Sequence, residues 1–124
     1  MDSKLERNKK NVITFYDLAF NKCKPKEAIG DDYVQHNPMV VSGKEGFTGY
    51  FLNLAGKYPG KKTYFIKTIA EGDLVVIHCR QEWPGDNDYA SIDIFRVDNN
   101  GKVVEHWDVI QKVPYEAANG NTMF

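Results

Sequence analysis

The fold of this chain is decided by one stretch, residues 62–113, whose sequence is KTYFIKTIAEGDLVVIHCRQEWPGDNDYASIDIFRVDNNGKVVEHWDVIQKV. It contains four segments rich in β-branched and aromatic residues, the composition typical of strands: Lys62–Ala70, Leu74–Trp83, Tyr89–Val97 and Lys102–Val113. Short runs of Gly, Asp, Asn and Pro separate them. Because each connection is short enough for a hairpin, the stretch predicts an antiparallel meander in which consecutive strands are neighbours.

An amphipathic helix is predicted ahead of this stretch, over residues 3–23. Ser3 and Glu6 have the spacing of a capping box, and apolar residues recur after them at helical intervals. Pro25 ends the pattern, and residues 25–29 can form one further turn of helix.

A second helix is predicted from Ser42 to about Lys57. Ser42 and Glu45 repeat the capping box, and an aromatic face follows them. Asp31–Asn37, between the helices, is interpreted as a short strand or an extended loop. Helices followed by an antiparallel sheet predict an α+β fold, and 124 residues fit a single domain over residues 1–124.

Composition argues against several classes of partner. The chain has 16 basic and 17 acidic residues, interspersed along its length, so we expect neither nucleic acid nor an anionic membrane as a partner. The longest aliphatic run, Leu74–Ile77, is too short for a membrane span, and no apolar signal core follows the basic N-terminus. We therefore expect a cytoplasmic protein. Cys23 and Cys79 lie far apart and form no CxxC motif, which favours buried thiols over zinc, redox chemistry or a disulfide.

Several strings resemble SnoaL-like proteins, over nearly the full length of the chain. They are Tyr33-Val-Gln-His-Asn-Pro38, Asp93-Ile-Phe-Arg96, Gly101-Lys-Val-Val-Glu-His-Trp-Asp108 with Gln111, and Asn119-Gly-Asn-Thr-Met-Phe124. The resemblance implies an NTF2-like cone, in which a bent sheet wraps the helices and its open end holds a mostly apolar pocket. Polyketide cyclases of that family close a ring by intramolecular aldol condensation without a cofactor, using an aspartate of the last strands as acid/base. Related pockets on this fold isomerise steroids or hydrolyse epoxides.

The last hairpin supplies the candidate chemistry. His106 and Asp108 are two residues apart on one strand, so they share a face in any register. A loop of two or four residues would place Asp93 opposite His106 and Ser91 opposite Asp108, with all four on that face. A three-residue loop with Gly101 in the left-handed conformation would turn Asp93 away. Both registers are compatible with the sequence.

A carboxylate beside an imidazole on a half-buried wall is suited to moving protons near neutral pH. We interpret Asp108 as the principal acid/base, sharing the work with His106 or Asp93. Two structural alternatives stand beside this interpretation. The strand could present an ordinary polar outer face, and Asp93 could form a salt bridge with Arg96 or Arg80.

Other side chains are weaker candidates. His36 precedes Asn37 and could cap a turn or point into the pocket mouth as a further catalytic group. Asn37, Trp83, Phe47 and Phe51 are candidates for substrate binding, although aromatic residues are more often core than ligand contacts.

Metal and phosphate motifs are missing from the sequence. The three histidines lack His-x-His or HExxH spacing, so we expect no metal and no other cofactor. Gly43, Gly46 and Gly49 lack the context of a phosphate loop, and we interpret them as letting their helix pack closely. His78 falls on the polar side of its strand and is predicted to be a surface residue.

These observations favour a cofactor-free lyase or isomerase acting on a small, largely apolar carbonyl compound. An epoxide hydrolase is the enzymatic alternative, and a non-catalytic ligand-binding or dimerisation module is the alternative from another class. We expect a homodimer in each case, because the outer face of such a sheet carries apolar residues such as Leu74 and Val76.

Overall fold

The structure is a computed structural model that describes residues 3–22, 24 and 32–124. The predicted turn over residues 25–29 and the Cys23 thiol lie outside the described residues. In chain order the elements are helix α1 (Ser3–Tyr16), a π-helical segment (Asp17–Asn21), strand β1 (Val34–Gln35), helix α2 (Gly43–Lys57) and strands β2 (Lys62–Glu71), β3 (Leu74–Glu82), β4 (Tyr89–Val97) and β5 (Val103–Lys112).

The five strands form one sheet in the order β1-β5-β4-β3-β2. Strands β2 to β5 are the predicted antiparallel meander, because each pairs with its neighbour in the chain. Strand β1 adds to the far edge in parallel with β5, placing Val34 opposite Glu105 and Gln35 opposite His106. The fold is therefore α+β, with helices on one face of a mixed sheet. None of the helices in the described ranges has the length and apolar character that a membrane crossing requires.

The two helices follow the predicted bounds closely, with differences at their ends. After α1 the backbone widens into the π-helical segment, where the Lys22 amide donates to the Asp17 carbonyl at 2.9 Å. Ser42 is the N-cap residue of α2, but its side chain makes no capping bond. Its hydroxyl oxygen accepts a hydrogen bond from the Gln35 amide at 3.1 Å instead. The capping box predicted at Ser42 is therefore wrong, because the hydroxyl ties the helix start to β1.

The core lies between the helices and the inner face of the sheet. Val75, Ile77 and Cys79 alternate along β3 and are fully buried. Helix α1 packs on this face, and the edge of the Phe15 ring meets Phe95 at a centroid distance of 5.7 Å. Helix α2 closes the side of the core through Phe47, whose ring lies 5.4 Å from that of Phe15. The inner face of β3 is therefore the one that carries Val75, Ile77 and Cys79.

The β4–β5 hairpin has a register that differs from both of those left open by the sequence. Gly101 has a left-handed φ of 79°, and the pairing shifts by one residue between Arg96 and Val97, passing over Val104. Asp93 therefore lies opposite Asp108. This is neither of the two registers left open by the sequence, because the odd loop and the bulge each move the partner of Asp93 by one position, from His106 to Asp108. The bulge also offsets the odd loop, so Asp93 stays on the inner face despite the left-handed glycine.

Candidate active site

A cavity opens between the two helices and the inner face of β3, β4 and β5. It holds about 540 Å³ of empty space, including that at its open mouth. Most of its wall is apolar and aromatic, formed by Phe15, Ala19, Phe20, Val40, Phe47, Phe51, Leu54, Trp83, Phe95 and Ile110. Its polar lining consists of Tyr16, Tyr33, Gln35, Asn37, Tyr50, Gln81, Asp93, His106 and Asp108. An apolar cleft with a few convergent polar groups is the usual form of a small-molecule site.

Asp93 and His106 form a buried pair in this wall. Asp93 is 1% exposed and its Oδ1 lies 2.8 Å from Nε2 of His106. The Ser91 hydroxyl donates to the other carboxylate oxygen, Oδ2, at 2.7 Å. The His106 ring stacks on Phe95, its partner across the hairpin, with centroids 4.6 Å apart. These contacts fix both side chains of the pair.

Gln35 orients the imidazole from the other side. Its Oε1 lies 2.8 Å from Nδ1 of His106 and accepts the backbone N–H of Asn37 at 3.0 Å. The parallel pairing of β1 with β5 brings Gln35 opposite His106 and so makes this contact possible. The Gln35 amide nitrogen donates to the Tyr33 phenol oxygen at 3.0 Å. The imidazole is therefore held at both nitrogens.

Asp108 differs from Asp93 in its surroundings. Its carboxylate is partly exposed in the cavity wall, where Oδ2 accepts the Asn37 amide at 3.1 Å and lies 4.0 Å from Nε2 of His106. Burial raises the pKa of the Asp108 carboxyl above its ordinary value, and the negative charge of Asp93 adds to this rise. His106 and the Asn37 amide lower the same pKa without cancelling the rise. A carboxyl with a raised pKa in an apolar cleft is suited to acid/base work.

A second chain of hydrogen bonds reaches Asp93 from α1 and β3. The Trp83 indole donates to Oε1 of Gln81 at 3.1 Å, and Nε2 of Gln81 donates to the Tyr16 phenol oxygen at 2.7 Å. The Tyr16 hydroxyl in turn lies 3.5 Å from Oδ2 of Asp93. Burial and the charge of Asp93 raise the pKa of Tyr16 well above its ordinary value, so its hydroxyl keeps its proton. This series of hydrogen bonds thus ends in the Tyr16 hydroxyl, which can donate to Asp93.

Seven of the eight residues suggested by the sequence line the cavity, namely Asp93, His106, Asp108, Asn37, Trp83, Phe47 and Phe51. His36 does not. Its ring stacks on Trp107 at 4.7 Å, and its Nε2 lies 2.7 Å from Glu105. His36 is the neighbour of the inward-facing Gln35, and its contacts with Glu105 and Trp107 lie on the other side of β5. The suggestion that His36 caps a turn or enters the pocket mouth is therefore corrected.

The salt bridges offered as an alternative for Asp93 are also absent from the described residues. Arg80 pairs with Asp88 at 2.9 Å, and Arg96 pairs with Asp73 and Glu105, each at 2.9 Å. Both arginines extend from the outer face, whereas Asp93 points inward. The buried partner of Asp93 is His106.

Five polar residues of the cavity wall were not among the candidates from the sequence, namely Tyr16, Tyr33, Gln35, Tyr50 and Gln81. Gln81 carried a usable signal, because it falls in the inner row of β3 after Val75, Ile77 and Cys79. A lone amide in an apolar row needs a buried partner. Gln35 carried no such signal, since a parallel pairing of two residues leaves no periodic pattern.

The same three ionisable residues also meet the spacing for a cation. One ligand atom from each of Asp93, His106 and Asp108 lies within 4.8 Å of the others. Two of these atoms, Nε2 of His106 and Oδ1 of Asp93, already bond each other, so a cation would compete with the proton between them. The expectation that the chain needs no metal stays a prediction.

Residues 12–106 match the family model of the SnoaL-like domain, and the chain belongs to that family. Solved structures of similar fold include a candidate SnoaL-like polyketide cyclase from Jannaschia sp. CCS1, with a TM-score of 0.73 and 17% identity over 89% of each chain. An LEH-like epoxide hydrolase from M. tuberculosis has a TM-score of 0.72 and 17% identity, over 87% of this chain and 85% of that one.

An NTF2-like protein from Mesorhizobium loti has a TM-score of 0.70 and 21% identity, over 90% of this chain and 96% of that one. At these identities the likenesses define the fold, which is NTF2-like, as the sequence resemblance implied. A comparison with curated protein sequences gives no match.

Proposed function

We propose that this SnoaL-like protein is an acid/base enzyme that acts on a small, largely apolar carbonyl compound, by aldol-type cyclisation or by isomerisation. The observation that carries the proposal is Asp108, a half-buried carboxyl of raised pKa facing an aromatic cavity beside His106. Both reactions begin when a base removes a proton from the carbon next to a carbonyl. Asp108 is the group we assign to that step.

The lining of the cavity favours an uncharged ligand. Among the described residues that line it, Asp93 and Asp108 are acidic and no lysine or arginine is present. A carboxylate or phosphate ester would meet like charge there and would lose its water without a lysine or arginine in return. Rings such as those of Phe47, Phe51 and Trp83 offer apolar contact instead. The substrate class that fits is therefore neutral and largely apolar, with one reacting oxygen.

Deuterium exchange tests this proposal without knowledge of the natural substrate. A panel of neutral cyclic ketones and diketones is incubated with the protein in D₂O, and proton NMR follows loss of the α-proton signal. We expect Asp108→Asn to exchange roughly a hundredfold more slowly than wild type, about 2.7 kcal/mol in barrier. Glu105→Gln is the matched control, because Glu105 lies on the same strand but bonds His36 and Arg96 on the outer face.

Two results would count against the proposal. Equal exchange by wild type and Asp108→Asn would remove the assigned role. Binding of panel members without exchange above buffer would favour the non-catalytic binding module.

Epoxide opening is a second candidate that the geometry supports. Asn37 holds one oxygen of Asp108, which leaves the carboxylate placed to activate a water molecule in the cavity. The choice of substrate distinguishes the two candidates, because the hydrolase would form a diol from a neutral epoxide and leave the α-protons of the ketones in place.

A further inference from the structure

We propose that His106 is a positioning residue rather than the acid that touches the ligand. Gln35 and Asp93 hold its ring as a doubly protonated imidazolium, a fixed positive charge behind Asp108, and Asp108 alone exchanges protons with the ligand. This assignment of roles rests on the function proposed above. It divides the work differently from the sequence interpretation, in which Asp108 shared the proton transfers with His106 or Asp93.

The proton on Nδ1 is assigned by the Gln35 amide. Its Oε1 accepts the backbone N–H of Asn37, a group that can only donate, so the atom in that position is an oxygen. An amide oxygen only accepts, and Nδ1 of His106 lies 2.8 Å from it. Nδ1 must therefore carry a hydrogen.

The proton on Nε2 is assigned by the surroundings of Asp93. With Nδ1 protonated, the 2.8 Å contact between Nε2 and Oδ1 holds one proton, which resides on either the imidazole or the carboxyl. Oδ2 of Asp93 accepts the Ser91 hydroxyl at 2.7 Å and faces the Tyr16 hydroxyl at 3.5 Å. These two hydroxyl groups, both directed at Oδ2, favour the ionised carboxylate. The proton then resides on Nε2, and the pair is an ion pair.

Gln81 fixes the direction of those donors. The Trp83 indole N–H can only donate, so the Gln81 atom that receives it is the oxygen and the opposite atom is the amide nitrogen. That nitrogen donates to the Tyr16 oxygen at 2.7 Å, which leaves the Tyr16 proton free to turn toward Asp93. The series of hydrogen bonds from Trp83 to Tyr16 thus supports an anion at Asp93.

The charges that face His106 from the packed elements support the same state. Asp93 on β4 and Asp108 on β5 are acidic, while Tyr16 on α1 and Tyr33 ahead of β1 are neutral phenols whose pKa values burial raises. Burial also raises the pKa of the Cys79 thiol on β3 to about 12, so it carries no charge at neutral pH. Two carboxylates and no competing cation among the described lining residues stabilise an imidazolium.

This arrangement leaves His106 without a proton to offer. Both of its N–H groups are taken, one by Gln35 and one by Asp93. Asp108 removes the α-proton as a carboxylate, and the resulting acid delivers that proton to the product oxygen or carbon, so the protons balance. The imidazolium, 4.0 Å away, acts by favouring the charged form of Asp108 between these steps.

Nitrogen-15 NMR of the imidazole rings tests the charge state without any assay of activity. At pH 7.5 we expect hydrogens on both ring nitrogens of His106. In Asp93→Asn we expect an unprotonated ring nitrogen on His106. A wild-type His106 with a hydrogen on Nδ1 alone would place the shared proton on Asp93 and overturn the proposal.

The pH dependence of exchange tests the consequence for Asp108. In Asp93→Asn the loss of the imidazolium removes an attraction that lowers the pKa of Asp108, and this attraction outweighs the repulsion from Asp93 that is lost with it. We therefore expect the rising limb of the curve of exchange rate against pH to move to higher pH. A purely structural role would lower the rate and leave the limb in place, which would contradict the assignment. Glu105→Gln, which removes a carboxylate from the outer face, should leave the limb unmoved. Absence of exchange in wild type would contradict the proposed function and leave the NMR result standing.

Discussion

Two aspartates that face each other across one hairpin have different environments. Asp93 is fully buried and has the His106 ring on one oxygen and the Ser91 hydroxyl on the other. Asp108 is partly exposed and has one amide donor, from Asn37. Donors stabilise a buried charge, while burial with few donors favours the neutral form. We propose that structural and catalytic roles are divided between the two aspartates on this physical basis.

The raised pKa of Asp108 has a consequence for stability. Its folded pKa lies above its unfolded value, so the folded state binds the proton more tightly and its stability falls as pH rises through that window. We expect Asp108→Asn to raise the free energy of unfolding at pH 7 to 8, since the amide removes the buried charge and can still accept from Asn37. Urea denaturation at pH 7.5 and pH 4 checks this. A variant less stable than wild type at pH 7.5 would contradict it.

A separate prediction at the residue scale concerns the metal content of the protein. We expect the purified protein to hold no stoichiometric zinc or iron after dialysis against a chelator, because the His106 and Asp93 atoms that would bind a cation bond each other. Elemental analysis of the dialysed protein measures this. One equivalent of metal retained per chain would refute this prediction and would assign Asp93, His106 and Asp108 to metal binding.

The residues of the site were predictable to different degrees. His106 and Asp108 share a face in any register of β5, so the alternation of side chains along the strand is enough to place them together. Gln35 reaches His106 only through the two-residue parallel pairing of β1. No local pattern encodes that contact, because it depends on where a distant segment returns to the sheet edge.

At the scale of elements, the β4–β5 hairpin combines two irregularities, so its pairing matches neither of the registers left open by the sequence. Left-handed Gly101 matches the odd loop, which by itself would have sent Asp93 outward. The shift past Val104 adds a second irregularity that restores the face. The four strands and two helices were predictable because their periodicity extends over many residues. A bulge involves one residue and leaves no such signal.

Helix α2 offers a test in which helix propensity and packing oppose each other. A Cβ on Gly46 would press against the Val41 carbonyl group, whereas one on Gly49 would meet nothing within 4 Å. Close packing was predicted for both, and for Gly43, but only Gly46 has it. We expect Gly49→Ala to stabilise the protein by about 0.5–1 kcal/mol. Gly46→Ala should destabilise it by roughly 1–3 kcal/mol, since the clash exceeds the gain in propensity.

Thermal or urea unfolding of the two variants provides the comparison. Because both changes add one methyl group to the same helix, the opposite signs isolate the contact with Val41. Stabilisation by both substitutions would show that the segment before α2 yields without cost.

At the scale of the whole molecule, the outer face of the sheet carries exposed apolar residues. Ile69, Ile92 and Val109 lie there with 63%, 45% and 76% of their surface exposed, and Phe124 stacks on His78, which lies on this face as predicted. Exposed apolar residues on one sheet face favour association. We expect a homodimer at tens of micromolar protein, roughly the range suited to weak self-association.

Sedimentation velocity measures the oligomeric state, with Ile92→Lys as the variant. A charge at the centre of this face should give a monomer whose cavity is unchanged, because Ile92 points away from it. A wild-type monomer at that concentration would contradict the expectation, and a dimer that persists in Ile92→Lys would assign the interface elsewhere.

The central claim is that Asp108 is the group that moves protons, and the pH dependence of α-deuterium exchange tests it most directly. In wild type the rate should rise with pH through a single ionisation whose pKa lies above that of an ordinary aspartate, because burial raises it. In Asp108→Asn that limb should be gone, with a rate roughly a hundredfold lower across the range. A limb of the same pKa in both proteins would contradict the claim, since the titrating group would then be another residue.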